Sequence, residues 1–260
     1  TPAGFELRDG VAHATDWWSI VFNPSVPYRL THMLIASGLT VAFLVAGVSA
    51  YRWRRGDRGS DVRLTMRTGV TVAALLIPLQ IMVGDLHGLN TLQHQPAKIA
   101  AMEGIWQTQK GVPMTLFGLP DEAARETRYA IEVPKLASLV LTHELDGEVK
   151  GLDAFPGQHP PVAPVFFSFR VMVGIGLLML AVSWIGWWQL RPNSCRPEPS
   201  RLLTGALLAM AFSGWLAVLA GWYTTEIGRQ PWLVYDVLTT AQAAGPVPAP
   251  TIALTLAIYV

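Results

Sequence analysis

Leu202–Trp232 reads LLTGALLAMAFSGWLAVLAGWYTTEIGRQPW. Its first part, Leu202 to Thr225, is apolar and long enough to cross a bilayer as a helix, which takes about 20 residues. Its end, Glu226 to Trp232, puts a carboxylate (Glu226) and a guanidinium (Arg229) three residues apart at the rim of that span. Ionisable groups at such a depth are costly, and they mark a cofactor, substrate or ion pathway.

Working outward, the whole chain has the composition of a polytopic membrane protein. It is 51% hydrophobic and only 14% charged, with ten tryptophans among 260 residues. A net charge of +1 offers no footprint for nucleic acid. A single cysteine, Cys195, excludes an intramolecular disulfide framework and any cysteine-held cluster within this chain. The chain starts at Thr1 without a signal-peptide pattern, and its last apolar run, Thr251–Val260, is too short to span. It reads as a fragment cut at both ends.

The predicted fold class is therefore all-α: a polytopic transmembrane helix bundle of four full spans and the start of a fifth. The spans fall at about 30–51, 68–84, 165–190 and 202–225, and the truncated fifth at 251–260. Pro78 lies inside the second span, where neighbouring helices can satisfy the freed carbonyl. Arg52 to Arg67, between the first two spans, holds six arginines and two aspartates; Arg191–Arg201, between the third and fourth, adds three arginines. Short positive loops stay in the cytoplasm. The long segment 85–163 then forms an external loop, and Glu226–Trp232 lies at the outer rim. Within that loop Ile99–Trp106 reads as a short helix, and Arg125–Val133 is expected to form another.

Several side chains carry candidate chemistry. His32 lies about one turn into the first span and Met172 about two turns into the third, both from the outer side, so they can meet at similar depth. His with Met is an axial pair for a low-spin haem. The plainer readings are an interfacial, hydrogen-bonded histidine and a packed methionine. Arg170 either snorkels to the outer headgroups or pairs with a cofactor carboxylate. Glu226 and Arg229 share a helix face, as a local ion pair or as an iron ligand with an arginine beside it. Lys98 and Glu103, about 140° apart on a helix, are poor partners for each other. They either hold two ends of a quinol headgroup, with the carboxylate accepting a proton, or belong to a solvated loop helix. Asp85 and His87 either relay protons or hydrogen-bond the loop. No HExxH spacing and no glycine-rich phosphate loop occurs.

Five strings in one order carry a resemblance. They are Asn23-Pro24 followed by His32–Gly38, then Gly84-Asp85, Lys98 to Trp106, Phe169-Arg170-Val171-Met172, and Gly221-Trp222 through Glu226 to Trp232. Together they resemble subunit I of cytochrome bd-type quinol oxidases along essentially the whole chain. The wording GDLHGLNTLQHQPAKIAAMEG looks most like the cyanide-insensitive branch, and 85–163 looks like a short form of the family's quinol-binding loop. The resemblance implies that His32 and Met172 ligate a low-spin haem b and that Arg170 sits beside it. It implies that Glu226 ligates a high-spin haem b, and that Arg229 and Trp222 line the haem region. Lys98 and Glu103 would oxidise ubiquinol or menaquinol, and dioxygen would be reduced to water, building membrane potential without a pump. The implied partner is subunit II; the implied location is the bacterial inner membrane, with the external loop on the periplasmic side. The family's haem d ligand and two membrane carboxylates lie on first helices that this chain lacks, so the intact protein would carry haem d or a third haem b. The competing expectations are a transporter with charges lining a pathway, and a haem-binding homologue without quinol oxidase activity.

Overall fold

A computed structural model describes residues 2–191 and 198–259. Cys195, and Arg196 of the second arginine loop, lie outside the described residues. A small hairpin, β1 (Phe5–Arg8) with β2 (Val11–Ala14), leads into a short helix, α1 (Trp17–Val21). Asp16 caps it by accepting from the Trp18 amide at 2.9 Å.

The body is built from α2 (Val26–Arg54), α3 (Ser60–His94), α6 (Val162–Leu190) and the bent pair α7 (Arg201–Ala209) and α8 (Ser213–Ile227), with α4 (Pro96–Glu103) and α5 (Leu136–Thr142) in the long loop. Among the described residues, three helices are long and apolar enough to cross a membrane, and α7 with α8 makes a fourth when the pair, bent by 41°, is one span. The bend falls where Ser213 donates to the Met210 carbonyl at 2.7 Å, next to Gly214, a Ser-Gly step of the kind that kinks helices. The last helix, α9 (Ala249–Tyr259), is apolar and exposed throughout.

Small residues bring these helices together. A Cβ on Gly47 of α2 would lie 2.5 Å from the Ala211 Cβ and 2.8 Å from the Leu207 carbonyl oxygen. One on Gly214 would lie 2.5 Å from the Thr40 hydroxyl. Such approaches suit helices that associate by packing rather than by expelling water. Phe43, Met66, Val70, Ile77 and Leu207 fill the core between them. At one end, Arg54 donates to the Arg201 carbonyl at 3.2 Å and Arg58 pairs with Glu198 at 2.7 Å. The two short arginine loops therefore meet on one side of the bundle.

The opposite end carries the long loop, which has its own core. Its elements are α4 (Pro96–Glu103), β3 (Gln109–Lys110), β4 (Met114–Asp121), β5 (Glu126–Val133), α5 (Leu136–Thr142), β6 (Glu148–Val149) and a 3-10 turn at Leu152–Ala154. Ile99, Ile105, Val112, Ala137 and Val149 pack together and onto Val162 and Val165 of α6. Two expectations change here. The segment expected as a helix over Arg125–Val133 is, from Glu126 to Val133, a strand paired antiparallel with β4; Thr127, Tyr129, Ile131 and Val133 alternate with the two-residue period of a strand. The second span does not hand over to a loop at Gly84: α3 runs on to His94. A helix can leave the apolar layer without breaking, and α3, 35 residues long, exceeds the roughly 30 Å hydrocarbon core. Past α8, β7 (Trp232–Val234) pairs with β8 (Leu238–Thr239).

Candidate functional site

The short helix α4 organises the loop end of the bundle. Pro96 starts it, where a missing N–H costs nothing. Gly104 ends it at φ 71°, a left-handed cap that a residue with a Cβ adopts only under strain. Every residue from Ala97 to Glu103 is buried. A solvated loop helix is thereby excluded for Lys98 and Glu103.

The two charged residues leave α4 for different neighbours. Lys98 reaches the end of α8, where its Nζ donates to the Thr225 carbonyl at 3.1 Å. A Cβ on Gly228 would lie 2.8 Å from the lysine's Cε, so this glycine leaves room for the lysine stem. Burial pushes Lys98 down to about 7, Arg29 pushes the same way, Glu226 opposes, and Arg229 adds to the lowering. Glu103 points to α6, with Oε2 3.5 Å from Nη2 of Arg170. Burial raises its carboxyl above the ordinary range, and the Arg170 charge partly counters this.

Glu226 and Arg229, in the last turn of α8 and just beyond it, form an ion pair. The Nε atoms of Arg229 and of Arg29 are buried without a hydrogen-bond partner. Lys98, Arg29 and Arg229 thus gather about one carboxylate, Glu226, an arrangement with spare donors for an anionic group. Trp222 lies on the exposed side of α8, tilted against Tyr223 with ring centroids 5.6 Å apart.

His32 and Met172 are held by different helices. Nε2 of His32 lies 3.0 Å from the side-chain nitrogen of Gln80 on α3, and its ring meets that of His87 edge-on, centroids 5.7 Å apart. For that contact to be a hydrogen bond, Nε2 must accept and Nδ1 must carry the proton. Nδ1 is buried without a partner, as is Oε1 of Gln80. A Cβ on Gly84 would lie 3.4 Å from the ring, so α3 leaves the imidazole a notch. Met172 sits on α6 against α8, where a Cβ on Gly221 would lie 2.8 Å from its sulfur. An imidazole whose lone pair meets only a replaceable amide, and a thioether seated over a glycine, are side chains that fit a haem iron. Among the described residues no cluster of three or more His, Cys, Asp or Glu could hold a bare metal ion.

A cavity of about 230 Å³ opens in the loop beside Trp106, Glu122, Asp153 and His159. Neither Lys98 nor Glu103 lines it. Reading the sequence alone misses Arg29 and Gln80. Both had a signal: Arg29 stands one turn before His32 at the mouth of an apolar run, and Gln80 is an amide inside one.

A family model described as cytochrome bd terminal oxidase subunit I matches residues 1–260. The chain is 31% identical over 245 residues to the putative cytochrome bd menaquinol oxidase subunit I of Bacillus subtilis (strain 168), covering 93% of this chain and 55% of that protein. To the cytochrome bd ubiquinol oxidase subunit 1 of the same organism it is 31% identical over 261 residues, with 94% and 54% covered. To the cytochrome bd-II ubiquinol oxidase subunit 1 of Escherichia coli (strain K12) it is 27% identical over 310 residues, with 94% and 60% covered. The solved bd oxidase from Geobacillus thermodenitrificans matches with a TM-score of 0.87 at 30% identity, over 99% of this chain and 59% of that one. The chain spans between half and three fifths of the length of these relatives.

Proposed function

The chain belongs to the cytochrome bd terminal oxidase subunit I family, and from that membership we propose that it is the quinol-facing, haem-binding part of a respiratory quinol:dioxygen oxidoreductase. The substrate is ubiquinol or menaquinol, and the product of oxygen reduction is water. The protein works in the bacterial inner membrane with subunit II, the arginine loops inside and the long loop on the periplasmic side. Both arginine loops meeting at one end of the bundle supports that orientation.

The observation that carries the reading is the docking of α4 across the ends of two membrane helices. One eight-residue helix brings Lys98 to the carbonyl beside Glu226 and Glu103 to Arg170, two residues from Met172 on α6. Groups that handle a quinol are thereby next to the residues that hold an electron acceptor. His32 and Met172 hold a low-spin haem b, Glu226 holds a high-spin haem b, and Arg29, Arg229 and Lys98 offer donors to carboxylates around them. When bound, the haems supply one-electron transfer from quinol towards dioxygen, with haem d or a third haem b on the remainder of the protein.

The protein's own contribution is proton handling and orientation. The Glu103 carboxylate, held near its partner and out of water, accepts a quinol proton at Oε1 or Oε2. Its raised pKa makes it a stronger base than an exposed glutamate. Lys98 shifts in the opposite sense, so near neutral pH it takes up or gives up a proton at Nζ. Protons from quinol leave outside while those for water come from inside, so charge separates without a pump.

A reduced-minus-oxidised spectrum of the intact protein in native membranes tests this. We expect haem b absorption; its absence overturns the reading. Haem b absorption with quinol turnover unchanged in Lys98→Ala and Glu103→Gln would instead mean a haem protein without this quinol site.

A further inference from the structure

Arg170 turns most of its donors to the extramembrane loop. Its side chain runs back towards the start of α6 and lies over the Phe166 ring, 3.3 Å from the centroid. Nε donates to the Thr115 carbonyl at 3.1 Å, and Nη2 donates to the same oxygen. Nη1 donates to the Met102 carbonyl at 2.6 Å and to the Phe166 carbonyl at 3.2 Å. Nη2 also faces the Glu103 carboxylate at 3.5 Å. A guanidinium has five N–H donors; four make these hydrogen bonds and the fifth faces the Glu103 carboxylate.

Met102 and Thr115 belong to different loop elements, α4 and β4. The Met102 carbonyl is one of those a helix leaves unpaired at its C-terminus, where a cation is favoured. Thr115 is buried, so its carbonyl would lose both guanidinium donors if Arg170 withdrew. Snorkelling to headgroups and pairing with a cofactor both require that withdrawal.

We infer that Arg170 is a latch. It closes α4 and β4 onto α6 and sets the place of the Glu103 carboxylate, acting as a positioning residue in quinol oxidation rather than as a cofactor contact. The positioning role rests on the proposed oxidation at Glu103; the latch itself does not.

Limited trypsin digestion of the intact protein in native membranes reads the latch through the exposed Arg125, Arg128 and Lys135. Arg170→Gln should speed cleavage at these sites at least about tenfold, because a buried charge network is lost. It should raise the quinol KM more than it lowers kcat, and leave the low-spin haem band in place. Glu103→Gln keeps the carbonyl bonds and should stay within about twofold of the parent cleavage rate. Arg170→Lys cannot reach two carbonyls with a planar fork, so it should cleave at least about threefold faster than the parent; it carries the test if the glutamine variant does not accumulate. Parent-like cleavage in the Arg170 variants, with a shifted low-spin haem band, would overturn the latch and put Arg170 at the cofactor. Absence of haem b from the parent protein would sink the proposed function while the cleavage arm still judged the latch.

Discussion

At the arginine end of the bundle, Arg52 pairs with Asp57 at 2.6 Å and Arg58 with Glu198 at 2.7 Å, all four side chains roughly half exposed. At the loop end, Lys98, Glu103 and the mostly buried Arg170 are shut away from water, and buried nitrogens of Arg29, His32 and Arg229 have no partner. The first end pairs charges in water, where pairing contributes little. The second pays desolvation and leaves donors unused, which a fold tolerates when a ligand completes the set. On the proposed function, charge at the arginine end sets orientation and charge at the loop end serves binding and chemistry.

The sharpest way to break this contrast is His32→Ala. The low-spin haem band of the intact protein should vanish while the protein still reaches the membrane; a band unchanged in position and height would make His32 an ordinary interfacial histidine. Glu103→Gln comes next. Losing a proton acceptor at the reacting group should cut quinol turnover by about 10²-fold or more with haem content preserved. Turnover within a few-fold of the parent would remove Glu103 from the chemistry. A smaller effect is expected from Gly221→Ala, since the added Cβ would lie 2.8 Å from the Met172 sulfur. The haem band should shift without being lost.

How far the sequence carried these residues differs between the two ends. The apolar runs report the membrane helices directly, because hydropathy is what the bilayer selects. They say nothing once a helix leaves the apolar layer, so α3 beyond Gly84 was invisible, as was the bend at Ser213. The strand Glu126–Val133 was legible in its alternating Thr127, Tyr129, Ile131 and Val133, and was missed by weighing it as a helix. At the site, the motif residues Lys98, Glu103, Arg170 and Glu226 stood out through resemblance. Their burial did not: α4 is covered on every side by a loop core and two helix ends that no local pattern encodes. Arg29 and Gln80 gain their interest only from helices distant in the chain.

A weaker probe of the loop end is pH. Lys98 is charged in the folded protein only below about 7, against 10.5 when solvated. Between those values the opened loop binds a proton that the closed loop does not, so closure strengthens as pH rises through that window. Below about 7 both forms are charged and the burial cost is fully felt. Trypsin cleavage of the loop, corrected for the enzyme's own pH profile, should therefore slow from pH 7 towards 9. Lys98→Met should flatten the slope. A flat parent profile would mean that Glu226 holds Lys98 charged in the closed loop as well.

The smallest expected effect comes from the arginine end, and it sharpens the contrast most directly because it predicts near-silence. Arg58 pairs with Glu198 across the two short loops and also stacks on Trp53 at 4.7 Å. Arg58→Ala removes both contacts, so the pair must be isolated with Glu198→Ala and the double variant. Two half-exposed side chains gain little Coulomb energy in water and lose conformational freedom in meeting, so their coupling should be about 0.2–1 kcal/mol and should shrink in 1 M salt. Removing Arg170 should cost about 3–5 kcal/mol, because it strands the Glu103 carboxylate away from water, whereas Glu103→Gln leaves the carbonyl bonds of Arg170 in place. Thermal midpoints of the solubilised intact protein, with and without salt, would give the first coupling. A value near the buried figure would show that the arginine loops clamp the bundle as firmly as the long loop does, and the division of labour between its ends would fail.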